Sequence, residues 1–338
     1  MVVRISLGIW DYDRVRPLID GFVKTEGLEI NWVLLPPSET IYRMLQFREY
    51  EVSEVSLSGF LLSHEKVDCP FVAIPVFPVR AFRHRSIYVN TKSGIEVPED
   101  LKGKVAGTPR YRQTASVWIR GMLSDEYGIK NESLSYVVGG TNQREREWKY
   151  WEENSQGPSW RKDVKIETMP SGRNLSDMLE NGDIDLLYSA SEPKCFLKGS
   201  KNVKRLFPDY ETAERKYFEK TGIFPIMHVV VINKSLYEEN RWIASTLFKA
   251  FSESKSKLYG EIYNPGGTAA TKYILPWALP EIERTKRVMG DDFWPYGLDQ
   301  NRKCLETFCR YSYEQGLAKK IFHAEDLFAH ETIETFSQ

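Results

Sequence analysis

The sequence predicts an α/β fold of two doubly wound lobes with two crossover segments. Three observations carry that expectation. Strand-like runs alternate with helix-length amphipathic stretches through about the first hundred residues. The alternation then resumes with a new set of partners, and the apolar strand HVVVINKSL later repeats the character of SIYVNTKSG. A chain of 338 residues also suits two domains, each with its own core.

The elements follow in order. Val2 to Gly8 reads as a strand, and the next helical stretch closes near Gly21. LEINWVLL, from Leu28 to Leu35, is a second strand broken by Pro36-Pro37. Ser38 is a suitable N-cap for a helix carrying Ile41, Met44 and Leu45 at helical spacing. Val52 to Leu57 is a short third strand running into a helix from Ser58, and Phe71 to Phe77 is a fourth. Strands separated this way imply right-handed crossovers and a parallel sheet. In the second lobe, PEDLKGKVAGTP gives a short helix and a strand. TASVWIRGMLSDEYG is an amphipathic helix with Gly128 as its stop. Residues 141–163 read as a long polar loop, VKIETMP as a strand, and NLSDMLENGDIDLLYSA as helix, glycine stop and strand.

The expected division is a first lobe of residues 1–88 and 226–338 and a second lobe of residues 89–225. The crossings fall near Arg83–Tyr88 and Pro225–Val230. Ligands of such sheets bind outside the carboxyl ends of strands. Facing lobes would therefore place DYDR, LSGF, TPRYRQT and YSASEP around one interdomain cleft.

Composition removes several function classes. With 46 basic against 47 acidic residues the chain lacks the basic excess of a nucleic-acid binder. Its 17 Phe, 18 Tyr and 9 Trp exceed what disordered chains carry. Four dispersed cysteines form no CxxC pair and no disulfide framework. No apolar run approaches the ~20 residues of a membrane helix. MVVRISLGIWDYDR reaches charge too early for a secretory signal, so a cytoplasmic protein with no membrane partner is expected. GxSxG, Walker, GxGxxG and HExxH patterns are absent, and no metal site is expected.

What remains are loops ending at helix starts, where free N–H groups favour anions. Ser56 and Ser58 stand at one such start and Thr114 at another; taken singly, Ser58 and Thr114 read as helix caps. Arginines crowd the same loops, among them Arg14, Arg43, Arg83 and Arg112, and a guanidinium offers carboxylate a planar fork. A small carboxylate-bearing ligand is the implied partner. Two of the five histidines, His84 and His228, fall on the two crossings, and imidazole can exchange a proton near neutrality.

Long blocks of the sequence resemble the 4,5-dihydroxyphthalate decarboxylase family, an offshoot of the type II periplasmic binding-protein fold. Among them are DYDRVRPL, RMLQFREYEVSEVSLS, PFVAIPVFPVRAFRHRSIYVNTKSGI, KTGIFPIMHVVVI and MGDDFWPYGLDQNR. The resemblance implies a cofactor-independent carboxy-lyase of aromatic catabolism. It would act on a hydroxylated aromatic dicarboxylate, giving protocatechuate and CO2. Such chemistry needs an acid near neutrality, a partner for ring hydroxyls, and donors for the retained carboxylate. His84 or His228 would supply the ring proton, with His84 preferred because FRHRS sits among arginines. Asp13 or Glu192 would polarise a hydroxyl. Arg14, Arg43, Arg83, Arg112, Ser56, Ser58 and Thr114 would hold carboxylates.

Where the family reads close to PEYQMTA, this chain has Pro109-Arg110-Tyr111-Arg112-Gln113-Thr114-Ala115. That added positive charge favours a more anionic or differently placed substituent. The loop GGTNQREREWKYWEE departs as well. Two alternatives share the fold: a non-catalytic aromatic-carboxylate receptor, and a pyridoxal-dependent pyrimidine synthase, which the dispersed cysteines disfavour. The aromatic stretch FWPYGLDQNRKCLETFCRYSYEQG fits either a homo-oligomer interface or packing on the first lobe.

Overall fold

The computed structural model describes residues 2–65, 68–142, 163–263 and 274–333. Among them are eleven strands: β1 (Val3–Ile9), β2 (Leu28–Leu34), β3 (Val52–Ser56), β4 (Phe71–Ile74), β5 (Ile87–Asn90), β6 (Val105–Thr108), β7 (Ser135–Val138), β8 (Lys165–Thr168), β9 (Leu186–Tyr188), β10 (Val203–Arg205) and β11 (His228–Asn233). They form two mixed sheets, ordered β2-β1-β3-β11-β4 and β10-β5-β9-β6-β7-β8. The chain divides into unit 1, residues 1–80, 226–306 and 322–338, and unit 2, residues 81–225 and 307–321.

In unit 1 β1 pairs in parallel with β2 and β3, as helical crossovers require. The purely parallel sheet expected from sequence is interrupted by β11, which runs antiparallel between β3 and β4. Central position explains the composition of β3: Val52, Ser53, Glu54 and Val55 are all buried, because both faces of the sheet are covered. In unit 2 β9, β6, β7 and β8 pair in parallel, while β5 pairs antiparallel with β9 and with β10. The strands singled out as alike, SIYVN and HVVVIN, are thus the antiparallel insertions of their two sheets.

Local chemistry corrects three expected caps. The helix Pro37–Phe47 has Pro36 at its N-cap, and Ser38 lies inside the first turn. Proline at the first helical position loses only an N–H that would be unpaired anyway. The next helix, Leu57–Ser63, is capped by Ser56, whose hydroxyl accepts from the Gly59 amide at 3.2 Å; Ser58 is a buried first-turn residue. In the helix Thr114–Tyr127 the cap position belongs to Gln113, and Thr114 is the first helical residue.

The division also differs from the expected lobes. The first passage between units follows Arg80, so Arg83, His84 and Tyr88 belong to unit 2. Residues 307–321, expected in the first lobe, complete the core of unit 2, so the chain passes between the units four times. Phe308 and Tyr311 lie against Trp118, with ring centroids 5.4 and 5.6 Å away. Gln315 accepts from Arg120 Nε at 2.8 Å and donates to the Val117 carbonyl at 2.9 Å. Arg120 is only 2% exposed; its guanidinium also bonds the Tyr111 carbonyl and lies over the Tyr111 ring at 3.9 Å. These contacts pair Nε and Nη2 of a fully buried cation, while its Nη1 has no hydrogen-bond partner among the described residues.

Candidate active site

The register of β3 and β11 builds a polar group in unit 1. His228 lies opposite Ser56 and Val230 opposite Glu54. Opposed residues of an antiparallel pair share a face, so Glu54 and His228 are diagonal neighbours. Glu54 Oε1 stands 3.9 Å from His228 Nδ1. From the loop after β1, the Tyr12 hydroxyl donates to the same Oε1 at 3.2 Å. Glu54 is 0% exposed, and its Oε2 has no hydrogen-bond partner. Burial drives its carboxyl pKa up to about 8, against smaller opposing effects of the Tyr12 hydrogen bond and the Arg14 charge. At neutral pH Glu54 is therefore mostly a carboxylic acid, holding a proton beside an imidazole.

Arg14 completes this group as a brace. Its guanidinium lies 4.3 Å from the ring centres of both Tyr12 and Trp294. Nε donates to the Pro78 carbonyl at 2.8 Å, Nη2 to the same oxygen, and Nη1 to Asp13 at 3.0 Å. Asp13 is exposed and also accepts from the Arg14 amide at 2.7 Å. Arg14 and Asp13 thus engage one another and fix the Tyr12 loop. Arg43 lies on the helix Pro37–Phe47, paired with Glu39 at 2.7 Å and Glu49 at 2.9 Å.

The other expected residues lie in unit 2. Glu192, in the loop after β9, accepts from Arg205 at 2.7 Å and from the Tyr88 hydroxyl at 3.5 Å. Arg112 and Arg110 precede the helix Thr114–Tyr127; burial first, and the Arg110 charge second, lower the Arg112 pKa to about 10. Arg83 is buried, its Nε has no partner, and burial lowers its pKa to about 10. Both arginines remain charged at neutral pH. His84 stands edge-on to Phe207 and Tyr217, at 5.1 and 5.4 Å, and is 1% exposed. Burial lowers its pKa to about 4, so it is neutral at cellular pH. Neutral imidazole is a poor proton donor, which is the opposite of the role expected for it. Of the loop GGTNQREREWKYWEE, residues 143–162 lie outside the described residues.

Glu54 and Tyr12 are the members that reading the residues passed over. The signal for Glu54 was a carboxylate centred in the strand VSEVS, where an unpaired charge is rarely tolerated.

Known proteins can now be set beside this geometry. No family model matches the chain. A 4,5-dihydroxyphthalate decarboxylase of Comamonas testosteroni is 36% identical over 334 residues, covering 99% of this chain and 98% of that protein. A protein of the same name from Pseudomonas putida is 35% identical over 216 residues, 64% of this chain and 81% of its own length. Among solved structures, the periplasmic aliphatic sulphonate binding protein of Escherichia coli superposes with TM-score 0.52 at 12% identity, covering 98% of this chain and 99% of its own. A putative sulfonate-binding protein of Methylobacillus flagellatus gives 0.54 at 13%, with 98% and 92% covered. These two share the fold alone, that of type II periplasmic binding proteins. End-to-end identity above one third is a stronger relation than a shared fold, and on that ground this chain belongs to the 4,5-dihydroxyphthalate decarboxylase family.

Proposed function

We propose that the protein removes one carboxylate, as CO2, from a hydroxylated aromatic dicarboxylate such as 4,5-dihydroxyphthalate, giving a dihydroxybenzoate. One observation carries the reading beyond family membership. The buried carboxyl of Glu54 keeps its proton near neutrality, with one oxygen unpartnered and His228 Nδ1 3.9 Å from the other. Aromatic decarboxylation needs a proton on the ring carbon that carries the carboxylate. In this reading the Glu54–His228 pair delivers that proton. The ring–carboxylate bond breaks, its electron pair restores the aromatic ring, and CO2 leaves. A hydroxyl para to that carbon spreads the positive charge of the protonated ring. Solvent then returns one proton to the pair, which balances the proton consumed. Tyr12 orients Glu54, and Arg14 holds Tyr12 by stacking.

Incubation of the protein with hydroxylated phthalates and benzoates, following released CO2, tests the reading. Turnover of a hydroxylated dicarboxylate is expected, with benzoates lacking a para hydroxyl inert. Tight binding with no CO2 from any member would overturn it in favour of an aromatic-carboxylate receptor.

The raised pKa of Glu54 also sets a pH dependence. Activity that needs protonated Glu54 should fall tenfold per unit above pH about 8 in kcat/KM profiles. For stability the sign is the same. Between the ordinary carboxyl value of 4.5 and about 8, the folded chain keeps a proton that the unfolded chain releases. The contribution of Glu54 is therefore full below pH about 4.5 and is lost as pH rises through about 8. Urea unfolding of wild type and Glu54→Gln across that range measures it; the difference between them should widen with rising pH.

A further inference from the structure

His84, absent from the proposed reaction, lines a cavity of about 330 Å³ wholly within unit 2. That volume lies at the small end of ligand pockets and suits a single-ring molecule. One face of the helix Tyr210–Thr221 forms a wall, presenting Thr212, Ala213, Lys216, Tyr217 and Lys220 at helical spacing. Tyr127, Phe207 and Tyr217 supply aromatic surface. The imidazole of His84 is buried among them, and its Nδ1 has no hydrogen-bond partner. A buried ring nitrogen left unpaired invites a ligand group to pair with it.

The cavity lining carries two acidic side chains, Glu126 and Asp209, and two basic ones, Lys216 and Lys220. Glu126 is taken by Lys220 at 2.7 Å, and Asp209 caps the helix by accepting from the Thr212 amide at 3.2 Å. Lys216 is exposed and has no ion-pair partner among the described residues. The lining therefore offers an aromatic slot, one neutral imidazole nitrogen and one unmatched ammonium.

We propose that this cavity is a second small-molecule site, taking a hydroxylated aromatic monocarboxylate. The ring lies among Tyr127, Phe207 and Tyr217, the carboxylate meets Lys216, and a hydroxyl meets His84. Low pKa keeps His84 uncharged, so its unprotonated nitrogen is available as acceptor. If the proposed reaction also holds, this ligand class is that of its product, and the site would report product concentration to unit 2.

Titration calorimetry with 4-hydroxybenzoate as probe tests the site directly, without turnover as readout, so failure of the decarboxylase reading leaves the test intact. Wild type should bind 4-hydroxybenzoate at least about tenfold more tightly at this site than 4-hydroxybenzamide. Lys216→Met should abolish that preference. His84→Phe, which keeps the edge-on ring packing, should abolish the preference for 4-hydroxybenzoate over benzoate. Ala213→Trp, which fills the cavity, should remove one site from the measured stoichiometry. Circular dichroism and Tm verify that each variant folds. An Ala213→Trp isotherm equal to wild type, or no binding at about 10 mM probe, would overturn the proposal.

Discussion

Glu54→Gln is expected to lower kcat/KM for CO2 release by about 10²–10⁴-fold, the range associated with loss of a positioned acid. The substitution keeps shape and hydrogen-bonding capacity. The Tyr12 hydroxyl can still donate to the amide oxygen, and no charge is lost from a site where the carboxyl is mostly neutral at pH 7. Substrate binding should therefore persist, and thermal unfolding should be little changed near pH 4.5, with Glu54→Gln becoming the more stable protein as pH rises toward 8. This separates loss of the proton from loss of the fold. Paired calorimetric binding and CO2 assays on the same preparation make the comparison. A Glu54→Gln protein that turns over at the wild-type rate would move the acid elsewhere.

The largest effect on stability is expected in unit 2, at Gly121. A methyl group there would lie 2.1 Å from Cδ2 of Tyr311, well inside van der Waals contact. Tyr311 cannot easily swing aside. It is buried, its hydroxyl donates to Asp125 at 2.7 Å, and its ring stands edge-on to Trp118. Overpacking of this kind costs about 1–3 kcal/mol or more, which corresponds to a fall in Tm of several degrees, roughly 2–12 °C. Gly121→Ala should accordingly destabilise the protein while leaving Glu54 and its neighbours in unit 1 in place. Differential scanning calorimetry of Gly121→Ala measures the loss. Restored stability in Gly121→Ala/Tyr311→Leu, which frees the space beside residue 121, would identify the clash as its cause. An unchanged Tm in the single variant would refute the argument.

Much of the architecture was legible because it rests on periodicity. Apolar strands alternating with amphipathic helices announce layered α/β units, and glycine stops such as Gly128 and Gly182 mark real helix ends in left-handed conformation. Periodicity shows which face of a helix is apolar, and is silent about which core receives it. For that reason Phe308 and Tyr311 were assigned to the first lobe, although they pack on Trp118 in unit 2. The site was legible to a smaller degree. His228 was found from its place in the chain, and His84 by the same rule, yet only His228 lies beside a carboxyl. Counting arginines near loops overestimated the free cations, since Arg14 and Arg43 are engaged by their own surroundings. Glu54 escaped notice because Val52 and Val55 fall on opposite faces of VSEVS, so the pattern marks neither face as dry. Its burial is visible only in the folded structure, where Val52, Ser53, Glu54 and Val55 are all buried.

The passage of residues 307–321 into unit 2 bears on how the chain is made. During synthesis the segment from Ala81 to Pro225 leaves the ribosome long before Thr307 does. Until then Trp118 lacks Phe308 and Tyr311, and the guanidinium of Arg120 has no Gln315 to meet it. The nascent polypeptide must carry an uncovered tryptophan and an incompletely paired guanidinium until residues 307–321 emerge. Unit 2 can reach its final packing only after residues 307–321 have been made.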